Sequence, residues 1–145
     1  MTTRFLVDNS VVQRLGKPVI RHAWDQLVDQ GVISTCLPVM LEAGYSARSA
    51  REHTQLLALE QLAKVVLPPT PEVLTFALQI QANLFAAGKG RSAGISDIQI
   101  AATALHHSTP TDQVVVVHYD ADFEHIKSVT PELTLQWIVP RGTVD

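Results

Sequence analysis

Four consecutive valines, Val114–Val117, constrain the fold of this chain more than any other feature. β-Branched side chains suit extended backbone, and four in a row put apolar groups on both faces of one strand. Such a strand needs cover on both sides. The usual provider is a parallel sheet held between two layers of helices.

The flanking segments supply those layers. Arg4–Val7 reads as a buried strand that stops at Asp8-Asn9-Ser10, and Val32–Thr35 as a second. Val65–Leu67 is a third short strand, closed by Pro68-Pro69. Leu133–Val139 is a last one, with Trp137 packing on the core. Between them lie helical patterns. Val19–Gln30 places Ile20, Ala23, Trp24, Leu27 and Val28 on one face and stops at Gly31. Pro38 suits the first turn of a helix through Tyr45. Ser49 and Glu52 form a capping box for a helix over Ala50–Leu62. Thr70-Pro71 opens a helix through Ala87, and Ser96 with Gln99 suggests the cap of an apolar helix that ends at His106-His107. A short helix follows Asp120 and runs to Ser128. Strands alternating with helices give an α/β fold: three layers, a mostly parallel central sheet, helices on both faces, and one domain over residues 1–145.

Composition limits the function classes. The 145 residues carry a net charge of −3, against the basic balance of a protein that coats nucleic acid by phosphate attraction. The lone cysteine, Cys36, lies among apolar residues and reads as a buried thiol in a reducing compartment. The N-terminus lacks the charged lead and long apolar stretch of a secretory signal, and no apolar run approaches the ~18 residues of a membrane span. The expectation is a cytoplasmic protein with no membrane partner.

The chemistry-bearing residues are acids. Asp8 follows the first strand and Asp120 follows the valine strand, so both sit where open parallel sheets gather ligands. Asp97 lies in the first turn of a helix, and Glu42 sits inside an apolar helical stretch. Each has an ordinary use by itself. Asp8 and Asp120 suit turns, Asp97 suits a helix dipole, Asp122 suits a cap, and Glu42 suits a solvated helix face. Together they would meet at one edge of the sheet. Crowded carboxylates raise one another's pKa values, and a hard divalent cation such as Mg²⁺ or Mn²⁺ relieves that conflict. Such an ion activates water and stabilises charge developing on a phosphoryl group.

Phe5-Leu6-Val7-Asp8-Asn9-Ser10, Leu41-Glu42, Ile95-Ser96-Asp97-Ile98-Gln99-Ile100-Ala101-Ala102 and His118-Tyr119-Asp120-Ala121-Asp122-Phe123 resemble, in order, the four acidic motifs of PIN domains. The nearest similarity is to VapC-type toxins of bacterial toxin–antitoxin pairs. The resemblance implies a single PIN-like domain and a Mg²⁺- or Mn²⁺-dependent endoribonuclease that cuts single-stranded RNA. It implies Asp8 and Asp97 as the main metal ligands, with Glu42 and Asp120 completing the catalytic pocket. It also implies a homodimer, inhibited by a cognate antitoxin that packs on the helices between Leu37 and Leu62. His118 departs from many relatives, which carry a hydroxyl residue there.

Other features are weighed lower. Lys89 and Arg91 offer cations to RNA phosphates, though a solvated loop explains them too. His106-His107 lacks a third ligand for a metal. Met40, Tyr45, Leu56, Leu57 and Leu59 read as core, with some left over for a partner. Two other function classes stay open: a catalytically silent binding module on the same fold, and a small-molecule phosphatase or phosphoacceptor domain. Against the latter, Asp8-Asn9-Ser10 lacks the second aspartate of a haloacid-dehalogenase-type pair, and no lysine follows the valine strand as in a receiver domain.

Overall fold

The computed structural model describes residues 2–145. Among the described residues five strands form one sheet: β1 (Thr2–Val7), β2 (Val32–Cys36), β3 (Val65–Leu67), β4 (Asp112–His118) and β5 (Leu135–Trp137). Their order is β3-β2-β1-β4-β5, and every neighbouring pair is parallel. The sheet is therefore wholly parallel, where the sequence suggested mostly parallel. The last strand is shorter than the 133–139 expectation. It covers three residues and pairs with the end of β4 through His118 and Trp137.

Seven helices surround the sheet among the described residues: α1 (Asn9–Val12), α2 (Pro18–Gln30), α3 (Leu37–Tyr45), α4 (Ala50–Ala63), α5 (Pro71–Ala86), α6 (Ile95–His107) and α7 (Asp122–Val129). The valine run divides between the two sides. Val114 and Val116 join Leu6, Val39, Leu84, Ile100 and Phe123 in one apolar core. Val115 and Val117 join Phe5, Val7, Val11, Ile20 and Leu27 in the other. Successive side chains of a strand point to opposite faces, so one segment serves both cores.

Local signals start most helices where the sequence puts them. Ser49 Oγ accepts from the Glu52 amide, and Thr70 Oγ1 accepts from the Val73 amide ahead of Pro71. The exception is α6. Its N-cap is Gly94, and Ser96 lies inside the first turn instead of capping it.

Gly31 ends α2 and turns the chain directly into β2. Its backbone is extended, a conformation open to any residue, so the constraint is space. A Cβ there would meet the Thr3 carbonyl oxygen at 2.5 Å and the Phe5 ring at 2.8 Å. The oxygen belongs to β1 and cannot yield without disturbing the sheet. Gly31→Ala is expected to lower stability by about 1–3 kcal/mol, read as a drop in the chemical-denaturation midpoint. An unchanged midpoint would show that the β1–α2 junction gives way easily.

The topology fixes where a site belongs. From β1 the chain winds outward one way through β2 and β3, and the other way from β4 to β5. The switch lies between β1 and β4, and ligands in open α/β sheets bind outside the carboxyl ends of strands at such a point. The loops that leave those two strands carry Asp8 and Asp120.

Candidate functional site

The exits of β1 and β4 are tied together by one backbone bond and one to a serine hydroxyl. The Asp8 amide donates to the Val117 carbonyl at 2.9 Å, and the Tyr119 amide donates to Ser10 Oγ at 2.9 Å. Asp8 caps α1, its carboxylate accepting from the Ser10 amide at 3.1 Å. Asp120 does the same after β4, accepting from the Asp122 amide at 2.9 Å. Each acid thus performs the local turn function expected of Asp at such a place. Each also keeps lone pairs for something else, because a carboxylate has about four acceptor sites.

Asp97 comes to the same edge from α6, which packs in the same core as α7. Helix α6 runs back toward the start of β4, so its N-terminus lies at the carboxyl ends of the strands. Asp97 is buried in its first turn. One carboxylate oxygen from each of Asp97, Asp120 and Asp122 lies within 4.8 Å of the others. The structure therefore brings Asp97 and Asp120 together and adds Asp122, whose purpose the sequence left open. Asp122 is the first residue of α7, and the N-cap is Ala121, so Asp122 is not the cap the sequence suggested. Asp8 and Glu42 lie outside that tight trio. Both still belong to the same field: Glu42 and Asp120 raise the Asp8 pKa, and Asp8, Asp120 and Asp122 raise that of Asp97.

The electrostatic load falls on Asp97. Burial, then repulsion from Asp8, Asp120 and Asp122, pushes its pKa up to about 8. Burial also raises Asp8, with the hydrogen bonds from Ser10 pulling the other way. Burial and Asp120 raise Asp122, partly offset by His125. Without a cation, the cluster relieves itself by holding a proton. A proton is a poor substitute for a divalent ion among several carboxylates, so the donor set fits a hard cation such as Mg²⁺.

His118 has a different role from the acids. It is fully buried, between Phe123 at 4.9 Å and Trp137 at 4.8 Å between ring centroids. Its Nδ1 accepts from the Asp120 amide at 3.1 Å, which places the proton of the neutral ring on Nε2. Burial pushes its pKa down to about 4, against the pull of nearby Asp120. A neutral ring holds the Asp120 backbone through this bond at neutral pH.

The remaining candidates lie outside the cluster. Lys89 Nζ donates to Ser128 Oγ at 3.0 Å, which tethers the glycine-rich loop to α7, while Arg91 is exposed. His107 Nε2 lies 2.9 Å from the Pro68 carbonyl oxygen, a structural contact. Burial pushes the Cys36 thiol up to about 12, so it stays protonated. Sequence reasoning missed one buried charge. Glu60 accepts from the Thr35 hydroxyl at 2.7 Å and pairs with Lys64. Its signal in the sequence was an ordinary Glu60/Lys64 i, i+4 spacing, which surface helices also show.

Comparison with known proteins identifies the family of the fold. The PIN domain family matches residues 5–129. The chain is 38% identical over 143 residues to Ribonuclease VapC21 of Mycobacterium tuberculosis, covering 99% of each chain. It is 39% identical over 145 residues to Ribonuclease VapC51 of the same organism, covering 100% of each. Its fold resembles the structure of VapBC-1 from nontypeable Haemophilus influenzae, with a TM-score of 0.73 at 15% identity over 93% of this chain and 98% of that one. It also resembles VapBC2 from Rickettsia felis bound to a promoter DNA fragment, with a TM-score of 0.71 at 14% identity over 92% and 97%. With the acidic motifs, the parallel sheet and the full-length relatives in agreement, this chain belongs to the PIN domain family.

Proposed function

We propose that this chain is an endoribonuclease that hydrolyses RNA phosphodiester bonds with Mg²⁺ or Mn²⁺, as the toxin of a toxin–antitoxin pair. The observation that carries the chemistry is the meeting of Asp97, Asp120 and Asp122 within 4.8 Å at the sheet's switch point, with Asp8 and Glu42 in the same field. The biological assignment follows the relatives at 38–39% identity over full length, which are ribonucleases of the VapC type.

In this reading Asp97 with Asp8, Asp120 and Asp122 would hold the cation, and Glu42 would orient groups around it. The sequence resemblance gives Asp8 and Asp97 as the main ligands with Glu42 and Asp120 completing the pocket; the tight spacing supports adding Asp122 to that set, and Asp8 exerts the largest charge repulsion on Asp97. When bound, the cation activates water and stabilises charge on the scissile phosphate. The protein's own contribution is positional. Asp120 is fixed by the Asp122 amide on one side and by His118 through its own amide on the other.

Exposed apolar surfaces support the partner reading. An antitoxin packs on α3 and α4, where Leu41, Leu59 and Leu62 stand exposed. A second copy of the chain covers the apolar residues of α5 and the start of α6, where Leu74, Leu78 and Ile95 are exposed. The site of action is the cytoplasm. No helix among the described residues is long and apolar enough to cross a membrane.

The test is direct. Purified chain is incubated with single-stranded RNA and Mg²⁺ or Mn²⁺, then with EDTA, and the Asp8→Asn variant is run alongside. Cleavage is expected with metal, abolished by EDTA and reduced at least ~100-fold in the variant. Equal cleavage in all arms would reject the mechanism. No cation binding at millimolar concentration would favour the silent binding module.

A further inference from the structure

A cleft of about 470 Å³ opens beside the acids on the α3 side. Pro38 and Leu41 form its apolar wall, and Glu42 joins it to the acidic cluster. Asn9, next to Asp8, and Gln99, two residues past Asp97, supply side-chain amides to its lining. Tyr45 closes the rim and is 92% exposed. A ring so exposed adds almost nothing to the core, although the sequence pattern had read it as core. Leu41, one turn earlier on the same helix face, is 63% exposed.

The chemistry of the lining selects the occupant. Among the described residues lining the cleft there is no lysine or arginine, so a phosphate finds no countercharge there. A flat, neutral, hydrogen-bonding group does find partners. Aromatic rings stack on bases of any identity, and amides present a donor and an acceptor to a base edge. Net charge of −3 makes broad backbone attraction weak, so contacts of this kind add affinity for RNA beyond what a cation at the acids supplies.

We propose that this cleft takes one unpaired nucleobase flanking the scissile phosphate. Tyr45 stacks on its face, and the Asn9 and Gln99 amides contact its edge. The proposal rests on the ribonuclease reading and adds a base subsite to it. The cleft is specific to single-stranded RNA, because a base held in a duplex cannot be turned into it.

The experiment is a cycle between enzyme and substrate. A short single-stranded RNA spanning a bond that the wild-type chain cuts is made intact and with one abasic nucleotide at each position near that bond. Wild type, Tyr45→Ala, Tyr45→Trp and Gln99→Ala are compared in kcat and KM. One abasic position is expected to cost the wild type roughly fivefold to a hundredfold in kcat/KM, mostly through KM. Tyr45→Ala loses a similar factor on intact RNA and little more on that abasic substrate. Tyr45→Trp retains activity within about threefold, since a larger ring stacks as well. Gln99→Ala changes base preference at the same position. All four chains should melt together, because neither substituted side chain is buried.

Abasic and Tyr45→Ala losses that simply multiply would overturn the proposal while leaving the nuclease reading intact. So would a wild type indifferent to every abasic position. Weakened antitoxin binding by Tyr45→Ala with unchanged RNA kinetics would assign the cleft to the protein partner and also overturn it. Failure of the wild type to cut any RNA would remove both readings.

Discussion

Replacing Asp97 with asparagine is expected to abolish cleavage and, in the same protein, raise its stability without metal. The two effects have one cause. The folded chain holds a proton on Asp97 up to about pH 8, whereas an unfolded aspartate releases it near 3.8. Between those values the native state binds more protons than the unfolded state, so stability falls as pH rises. His118 has the opposite sign. Its pKa is about 4 when folded and 6.5 when unfolded, so its contribution is lost as pH falls through that interval. The two slopes overlap below pH 6.5. Above it the Asp97 effect stands apart from that of His118.

From pH 6.5 to 8 in EDTA, wild type should lose about 1–2 kcal/mol from this one group, a Tm drop of a few degrees. The amide introduced by Asp97→Asn carries no charge to desolvate, so the slope should disappear and the variant should melt above wild type at pH 8. Millimolar Mg²⁺ or Mn²⁺ should reverse the order by stabilising wild type alone, since binding to the native state adds to its stability. Cleavage by the variant should fall at least ~100-fold. Thermal melts across pH, with and without metal, measure all of this. Identical slopes for the two proteins would mean that Asp97 does not carry the strain.

The second large effect lies away from the acids. Removing Glu60 with alanine is expected to destabilise the chain by about 3–5 kcal/mol, because it leaves a buried ammonium without its partner. Glu60 and Lys64 side chains are 8% and 9% exposed. The Thr35 hydroxyl of β2 loses its acceptor as well. Lys64 also lies 5.8 Å from the centre of the Trp24 ring, so the charge is enclosed from the α2 side. Glu60 is the buried residue of α4, and Leu59 and Leu62 on that helix face solvent. The ion pair therefore anchors the end of a helix with little apolar grip. Exchanging both partners for methionine should recover most of the loss, since a well-packed apolar pair commonly equals a buried salt bridge. Urea midpoints for the single and double variants decide it. A double variant as unstable as Glu60→Ala would show that the pair has a value packing cannot replace.

These two cases separate what the residues announce from what folding adds. The valine strand, the strand-end position of Asp8 and Asp120, the helix starts at Ser49 and Thr70, and the α/β alternation were all legible, because each rests on periodicity or on local backbone chemistry. Ser96 misled because a serine followed by Gln99 has the look of a capping box, yet Gly94 made the earlier turn. Tyr45 misled because it continues an apolar helix, and periodicity cannot tell which part of an apolar stripe remains uncovered. Glu60 was invisible because its burial depends on Thr35 and Trp24, far from it in the chain.

The sequence by itself determined the layers, the direction of the sheet and the set of acids available, since these follow from side-chain period, β-branching and turn preference. Only the tertiary structure decided which acids meet. Asp97 approaches from α6 and Asp120 and Asp122 from beyond β4, so their spacing depends on how a helix packs against the sheet, and no local pattern encodes that distance. The same packing set the charge state: burial beside other carboxylates, not residue type, moves Asp97 from an ordinary acid to one that keeps its proton near neutrality.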